Sequence, residues 1–254
     1  MNTLKIKYFV RLAYDGTKYH GWQYQPNAIT VQEVVEASLQ TLMGEKIAVM
    51  GCGRTDSGVH ASDFYLHCEL PENKCENIDV VYKLNRLLPQ DISIKSMHKV
   101  TQDAHTRFNA TKREYRYYIH QAKSPFINKY SYFFLRELNF DKMRQAGLTL
   151  KDFTDFTSFS KLHTDTNTND CKIFEFEINS LQDGRIEIVI AADRFLRNMV
   201  RSIVGTLLDV GTGKTTYDQF IDIVNSKNRC DAGASAPAKG LFLSRVDYPK
   251  NLFG

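Results

Sequence analysis

Residues 4–14 (LKIKYFVRLAY) are dense in β-forming apolar side chains and end at the turn Asp15-Gly16, which marks a strand. The spacing then lengthens. Val34, Val35, Leu39, Leu42 and Met43 fall on one face of a helix from about Val31 to Met43, with Thr30 and Glu33 as a capping-box pair and Gly44 as its stop. Short strands follow at 46–52 and 62–70 (SDFYLHCEL), then a helix from about Ile78 to Leu88 closed by Pro89, then a strand at 91–99. The order β-α-β-β-α-β is the ferredoxin-like arrangement.

The remainder repeats this order more loosely. Residues 113–121 (REYRYYIHQ) predict a strand and 140–150 a short helix. A polar stretch from Ser158 to Asp170 precedes strands at 171–180 and 185–192, which are joined at Asp183-Gly184. Apolar positions then predict a helix from Phe195 to Val210, capped by Asp193 and stopped by Gly211. A further helix near 216–226 and a strand at 240–247 complete the pattern. The chain therefore reads as α+β, with two ferredoxin-like or RRM-like halves at 1–105 and 106–254 and mixed, mainly antiparallel sheets. Two such halves create a cleft between them, a usual place for a ligand.

At 254 residues, with 43% hydrophobic and 24% charged side chains, the chain can bury a sizeable core and has ordinary globular composition. No apolar run approaches a membrane span and the N-terminal residues lack the apolar core of a signal peptide, so a cytoplasmic location is expected. Cys52, Cys68, Cys75, Cys171 and Cys230 form no CxxC pair and no metal-ligand spacing, and an odd number of scattered thiols fits a reducing compartment. A formal net charge of +4 is only mildly basic. Its distribution says more. Lys112, Arg113 and Arg116 interleave with Tyr115, Tyr117 and Tyr118, and Arg194, Arg197 and Arg201 recur in one short segment.

Candidate chemistry concentrates in Gly51-Cys52-Gly53-Arg54-Thr55-Asp56-Ser57-Gly58-Val59-His60-Ala61. Its glycines let the backbone turn sharply and approach a ligand closely. A carboxylate held there, Asp56, can act as nucleophile or general base, and a cation such as Arg54 two residues away favours its ionised form. A polar hairpin turn with a surface ion pair is the plainer alternative, although the loop is longer than a hairpin needs. On the strand at 113–121, alternation puts Arg113, Tyr115 and Tyr117 on one face and Glu114, Arg116 and Tyr118 on the other. That suits a base-stacking platform beside phosphate contacts; a half-buried strand with core tyrosines and solvated charges satisfies the same pattern. Arg194, Arg197 and Arg201, spaced by three and four, predict one basic helix face, either solvated or reaching a phosphate or the loop carboxylate.

Two other motifs fail. Gly211-Thr212-Gly213-Lys214-Thr215 lacks the earlier glycine of a phosphate-binding loop, since that position is Leu208, and it follows a helix rather than a strand. The seven histidines include neither HExxH nor His-x-Glu with a later cysteine pair, which leaves a zinc protease and a zinc base deaminase unsupported. His60, His67 and His105 read as structural or surface residues.

The eleven-residue loop resembles the signature of the TruA family of tRNA pseudouridine synthases. So do Tyr14-Asp15-Gly16-Thr17 with Tyr19-His20-Gly21-Trp22-Gln23, Val31-Gln32, and Asn85-Arg86-Leu87-Leu88-Pro89. The Arg113 to Tyr117 strand, Phe195-Leu196 with Met199-Val200-Arg201, and Gly240-Leu241 continue the family's order over nearly the whole chain. The resemblance implies the pseudouridine synthase fold, with its halves packed side by side around a central cleft. It implies an isomerase that converts uridine to pseudouridine at positions 38, 39 and 40 in the anticodon arm of tRNA, and a homodimer.

Carried over residue by residue, the family's nucleophile falls on Asp56 and its active-site tyrosine, which packs on the target base, falls on Tyr115. The arginine that pairs with the nucleophile falls on Arg201, and the loop arginine linked to base flipping on Arg54. Arg113 joins the substrate-binding residues, and either Leu241 or Leu243 supplies an apolar pocket wall. Cys52 and Ser57 stand where the family commonly has a small residue such as alanine, and neither alters the charge of the site. Moving the ribose from N1 to C5 of one uracil is redox-neutral and consumes no water overall, so no cofactor or metal is expected. The alternative is a non-catalytic tRNA-binding protein of the same fold. Such a binder has no need of a carboxylate facing RNA, and RNP-type aromatic motifs are absent.

Overall fold

The computed structural model describes residues 4–75, 78–161 and 168–253. The chain forms two compact units. One comprises the residues up to Thr111 together with those from Leu243 on, and the other is Lys112–Phe242.

In the first unit β1 (Lys5–Tyr14), α1 (Val31–Met43), β2 (Met50–Gly51), β3 (His60–Pro71), a single turn α2 (Glu72–Cys75), α3 (Val80–Leu87) and β4 (Ile92–Lys99) follow in order. β4, β1, β3 and β2 are neighbours in that sequence and every pair is antiparallel, the ferredoxin-like arrangement. α1 keeps its expected bounds because both ends are chemically marked. Thr30 accepts a hydrogen bond from Glu33 N, and Gly44 at φ +67° ends the helix. α3 starts at Val80 because Asp79 accepts from Tyr82 N and caps it there. Register sets Val10 opposite Leu66 and Leu12 opposite Phe64, all buried, so one face of β1 and β3 carries the core. Phe9 points to the other face and is buried too, with the rings of Tyr248 at 5.2 Å and Phe253 at 6.0 Å.

The strand expected at 46–52 shrinks to β2. Gln32 Nε2 donates to Val49 O and Val49 N donates to Glu36 Oε1, so side chains of α1 take up backbone groups that a ladder would otherwise pair. The residues from Leu243 on return to this unit, whereas the sequence alone kept 106–254 together. Val246 N donates to the buried Asp63 carboxylate, which also pairs with Arg11, and the Tyr248 hydroxyl donates to Thr106 O.

The second unit holds β5 (Lys112–His120), β6 (Tyr132–Phe133), α4 (Phe140–Leu148), β7 (Ile173–Ser180), β8 (Arg185–Ala192), α5 (Met199–Gly211) and α6 (Tyr217–Ser226). β9 (Leu241–Asp247) begins in it, and its residues from Leu243 on belong to the first unit. β8 lies between β5 and β7, antiparallel to both, and β6 runs parallel beside β5. Tyr117 opposite Ile188 and Ile119 opposite Ile186 share a buried face with Ile178 of β7. Both units are thus α+β with mostly antiparallel pairing.

The helix expected from Phe195 begins only at Met199. Asp193 does not cap it; its carboxylate accepts from Lys172 N and Arg194 N, and Asn198, just before the helix, has a left-handed φ of 65°. Leu196 is buried from the preceding loop and so extends the apolar period of α5 without sharing its backbone. Arg194 and Arg197 therefore lie in that loop. Only Arg201 is on the helix, and the three do not form one helix face. Of the polar stretch from Ser158 to Asp170, residues 162–167 lie outside the described residues. Among the described residues no helix is long and apolar enough to cross a membrane.

Candidate active site

Asp56 sits in the loop between β2 and β3, and the backbone on both sides of it is tied to the segment that follows β1. Trp22 N donates to Thr55 O (3.3 Å), and Gly58 N donates to Tyr19 O (3.1 Å). The Tyr14 and Thr55 hydroxyls are 2.9 Å apart in the interior, and Val59 N closes a turn on Asp56 O (3.1 Å). Gly21 has φ +88°, and a Cβ on it would lie 2.3 Å from Thr55 O, so the approach of the two segments requires glycine. Beyond the turn, buried His60 places Nδ1 3.0 Å from Asp15 Oδ1 and 3.1 Å from Gly16 N. Trp22 packs on Phe64 with ring centroids 4.3 Å apart, which anchors the underside of the same segment.

The consequence is a half-buried carboxylate on a backbone that buried groups hold from both sides, with Arg54 exposed beside it. The holding segment, Tyr14 to Trp22, received no role from the sequence alone. A signal was present: Gly16 and Gly21 stand among Tyr14, Tyr19 and Trp22, all three of them buried aromatics.

In the second unit, register confirms that Arg113, Tyr115 and Tyr117 share one face of β5. Their surroundings differ. Tyr117 is fully buried, donates its hydroxyl to Pro237 O at 2.8 Å, and has its pKa pushed up by burial; it is a core residue. Tyr115 is half-buried and meets Phe195 edge-on at 5.1 Å. Arg113 donates to Asp193 O at 2.7 Å, which braces the loop that carries Phe195. On the opposite face Arg116 pairs with Glu114 (2.9 Å) and Glu187 (3.0 Å), so those charges serve one another.

Arg201, at the first turn of α5, donates from Nε to Ala236 O (2.7 Å), while Ala236 N donates to Arg201 O (2.9 Å). Asn198 Nδ2 reaches Ser235 Oγ at 2.6 Å, a second tie on the same loop. Leu241 and Leu243 are both buried, the first in this unit and the second in the other, so burial does not choose between them. Lys214, from the failed phosphate-loop motif, pairs with Asp209 at 2.8 Å.

The first unit thus offers a half-buried carboxylate on a backbone-locked loop, a group suited to nucleophilic or acid–base chemistry, and the second a half-buried tyrosine beside arginines, suited to stacking and anion contact. Wider comparison gives the family. A family model described as tRNA pseudouridine synthase matches residues 12–109 and 153–249. The protein named tRNA pseudouridine synthase A of Bacteroides fragilis is 51% identical over 247 residues, covering 97% of this chain and 98% of that one. Its namesake in Porphyromonas gingivalis is 49% identical over 249 residues (97% and 99%), and that of Acetivibrio thermocellus 38% over 243 residues (93% and 97%). This chain belongs to the tRNA pseudouridine synthase family, and it is an isomerase.

Proposed function

We propose that the protein isomerises uridine to pseudouridine at positions 38, 39 and 40 in the anticodon arm of tRNA, with Asp56 as the nucleophile. The reaction breaks the N1–C1′ and C5–H bonds, joins C1′ to C5 of the same uracil and puts a proton on N1, so the C5 hydrogen is released while the formula is unchanged. Asp56 either attacks C1′ or takes the C2′ proton to give a glycal. The observation that carries this reading is the clamping of Thr55 and Gly58 on either side of Asp56, which fixes a carboxylate without burying it. Tyr115 packs on the extruded base, Arg201 is the cation that serves the carboxylate, and Arg54, Arg113 and a leucine of the 241–243 strand hold the substrate. Extruding the uridine costs a few kcal/mol, and stacking worth about 1–3 kcal/mol on an aromatic ring offsets it. The protein works as a cytoplasmic homodimer.

Asp56→Ala tests the reading. Tritium release from tRNA labelled at C5 of uridine should vanish, while circular dichroism and thermal unfolding stay as in the wild type. Near-normal release by the variant would overturn the assignment of Asp56. A wild-type protein that binds tRNA and leaves its uridines unchanged would favour the non-catalytic binder.

A further inference from the structure

Phe126 is 90% exposed and Leu135 75%, the largest exposures of bulky apolar side chains among the described residues. Both lie between β5 and α4, in a segment whose exposed charged residues are Lys123, Lys129 and Arg136, with Glu137 at its far edge. The segment is not a loose loop. Tyr130 N and Ser131 Oγ both donate to Ile127 O (3.0 and 2.7 Å), which folds a turn directly after Phe126. Ser131 Oγ also meets His120 Nδ1 at 2.7 Å, and Phe134 N donates to His120 O at 2.9 Å, which bind the return limb to β5. Gln121 Nε2 donates to Arg136 O (2.8 Å), and Lys239 Nζ donates to both Asn128 O and Asn128 Oδ1 (2.9 Å each). The Lys129 ammonium stands 4.9 Å over the Tyr130 ring.

A bulky aromatic held outward on a braced turn presents an ordered apolar face to water, a contact that burial by a partner would relieve. Two occupants could cover it: a second copy of this chain or RNA. A two-fold contact through this surface would set one net-positive patch against an identical one. A polyanion meets no such repulsion, and every nucleobase offers a face to an aromatic ring whatever its sequence. Because the turn is already ordered, little conformational entropy is lost on contact.

We propose that the segment from Gln121 to Arg136 is a second tRNA-contacting surface, with Phe126 stacking on an unpaired base and Lys123, Lys129 and Arg136 on the neighbouring phosphates. The proposal rests on the tRNA-directed reading above and adds to it a contact made by residues that take no part in the proposed chemistry, one that governs capture rather than turnover.

The test uses the full chain and full-length tRNA transcript. Phe126→Ala should weaken tRNA binding and raise KM about 5- to 100-fold, as expected for one lost base stack, with kcat at saturating tRNA unchanged. Phe126→Trp should restore both. Lys123→Glu with Lys129→Glu should flatten the dependence of log Kd on log salt by about two contacts. Thermal unfolding of Phe126→Ala should match the wild type, since the ring is exposed, so a misfolded variant cannot imitate the result. Unchanged KM and Kd in Phe126→Ala would overturn the proposal. So would unchanged KM together with a changed mass by light scattering, which would assign the surface to self-association. Absence of pseudouridine from the wild-type reaction would instead strike the proposed reaction and leave the binding comparison readable.

Discussion

Gly21→Ala is the sharpest probe of how the carboxylate loop is held. The new Cβ would lie 2.3 Å from Thr55 O, 3.2 Å from Asp56 C and 3.3 Å from Thr55 C, all backbone atoms that cannot turn aside as a side-chain tip can. The residue must also keep φ near +88°, where a Cβ costs about 1–2 kcal/mol. Relief of the overlap adds about 1–3 kcal/mol. Together these predict a loss of roughly 2–5 kcal/mol, or about 4–20 °C in Tm for a chain of this size. The strain can be relieved only by moving Thr55 and Asp56 away from the Tyr14–Trp22 segment. A displacement near 1 Å at a reacting group costs about 100-fold in rate, so kcat should fall by that order while KM for tRNA changes little. Gly53→Ala is the matched control, because no atom lies within 4 Å of a Cβ there and its φ is not positive. It should leave Tm within about 1 °C. The assays are thermal unfolding and single-turnover tritium release on both variants. Wild-type Tm and kcat in Gly21→Ala would refute the clamp as the source of the loop's geometry.

Tyr117→Phe should keep the packing of the ring but leave Pro237 O without its hydroxyl donor, lowering the urea midpoint by the equivalent of about 1–3 kcal/mol. Asp63→Ala should cost a similar amount and expose residues from Leu243 on to limited proteolysis, because it removes the acceptor of Val246 N and the partner of Arg11. A pH series reports on two imidazoles. Burial, with His105 and Lys7 adding to it, holds His67 down at about 4, and burial beside Lys7 and Arg107 also lowers His105. Each therefore gives up its proton at lower pH in the folded chain than in the unfolded one. Stability should therefore rise as pH goes from about 4 to 6.5 and level off above that, and His67→Gln should reduce the slope of the urea midpoint across that window.

Elements with chemical marks at both ends were legible in the sequence, and elements defined by distant partners were not. α1 could be bounded from Thr30 and Gly44 because a cap and a left-handed stop are local chemistry. The true start of α5 could not, since Leu196 continues its apolar period from a loop and Asp193 spends its carboxylate on Lys172 and Arg194 rather than on a helix end. The shortened β2 escaped for the same reason: Gln32 and Glu36 satisfy Val49 from a helix many residues earlier. At the site, the eleven-residue loop stood out through its own composition. Its support did not, because the hydrogen bonds that tie it to Trp22, Tyr19 and Tyr14 join segments more than thirty residues apart. Tyr115 and Tyr117 look alike in sequence and differ only in what covers them, Phe195 for one and the Pro237 loop for the other.

The return of residues from Leu243 on to the first unit bears on how the protein is made. Those residues leave the ribosome after the whole of Lys112–Phe242, which at about 5–20 residues per second takes roughly 7–26 s. During that interval the strands β1, β3 and β4 are already synthesised, yet Phe9 has neither Tyr248 nor Phe253 above it and Asp63 has no Val246 to accept from. The nascent first unit therefore carries an uncovered apolar face and a buried-type carboxylate while the second unit is still being synthesised. Its exposure to chaperones and proteases in the cell is set by translation speed through the middle of the message as much as by the stability of the finished fold.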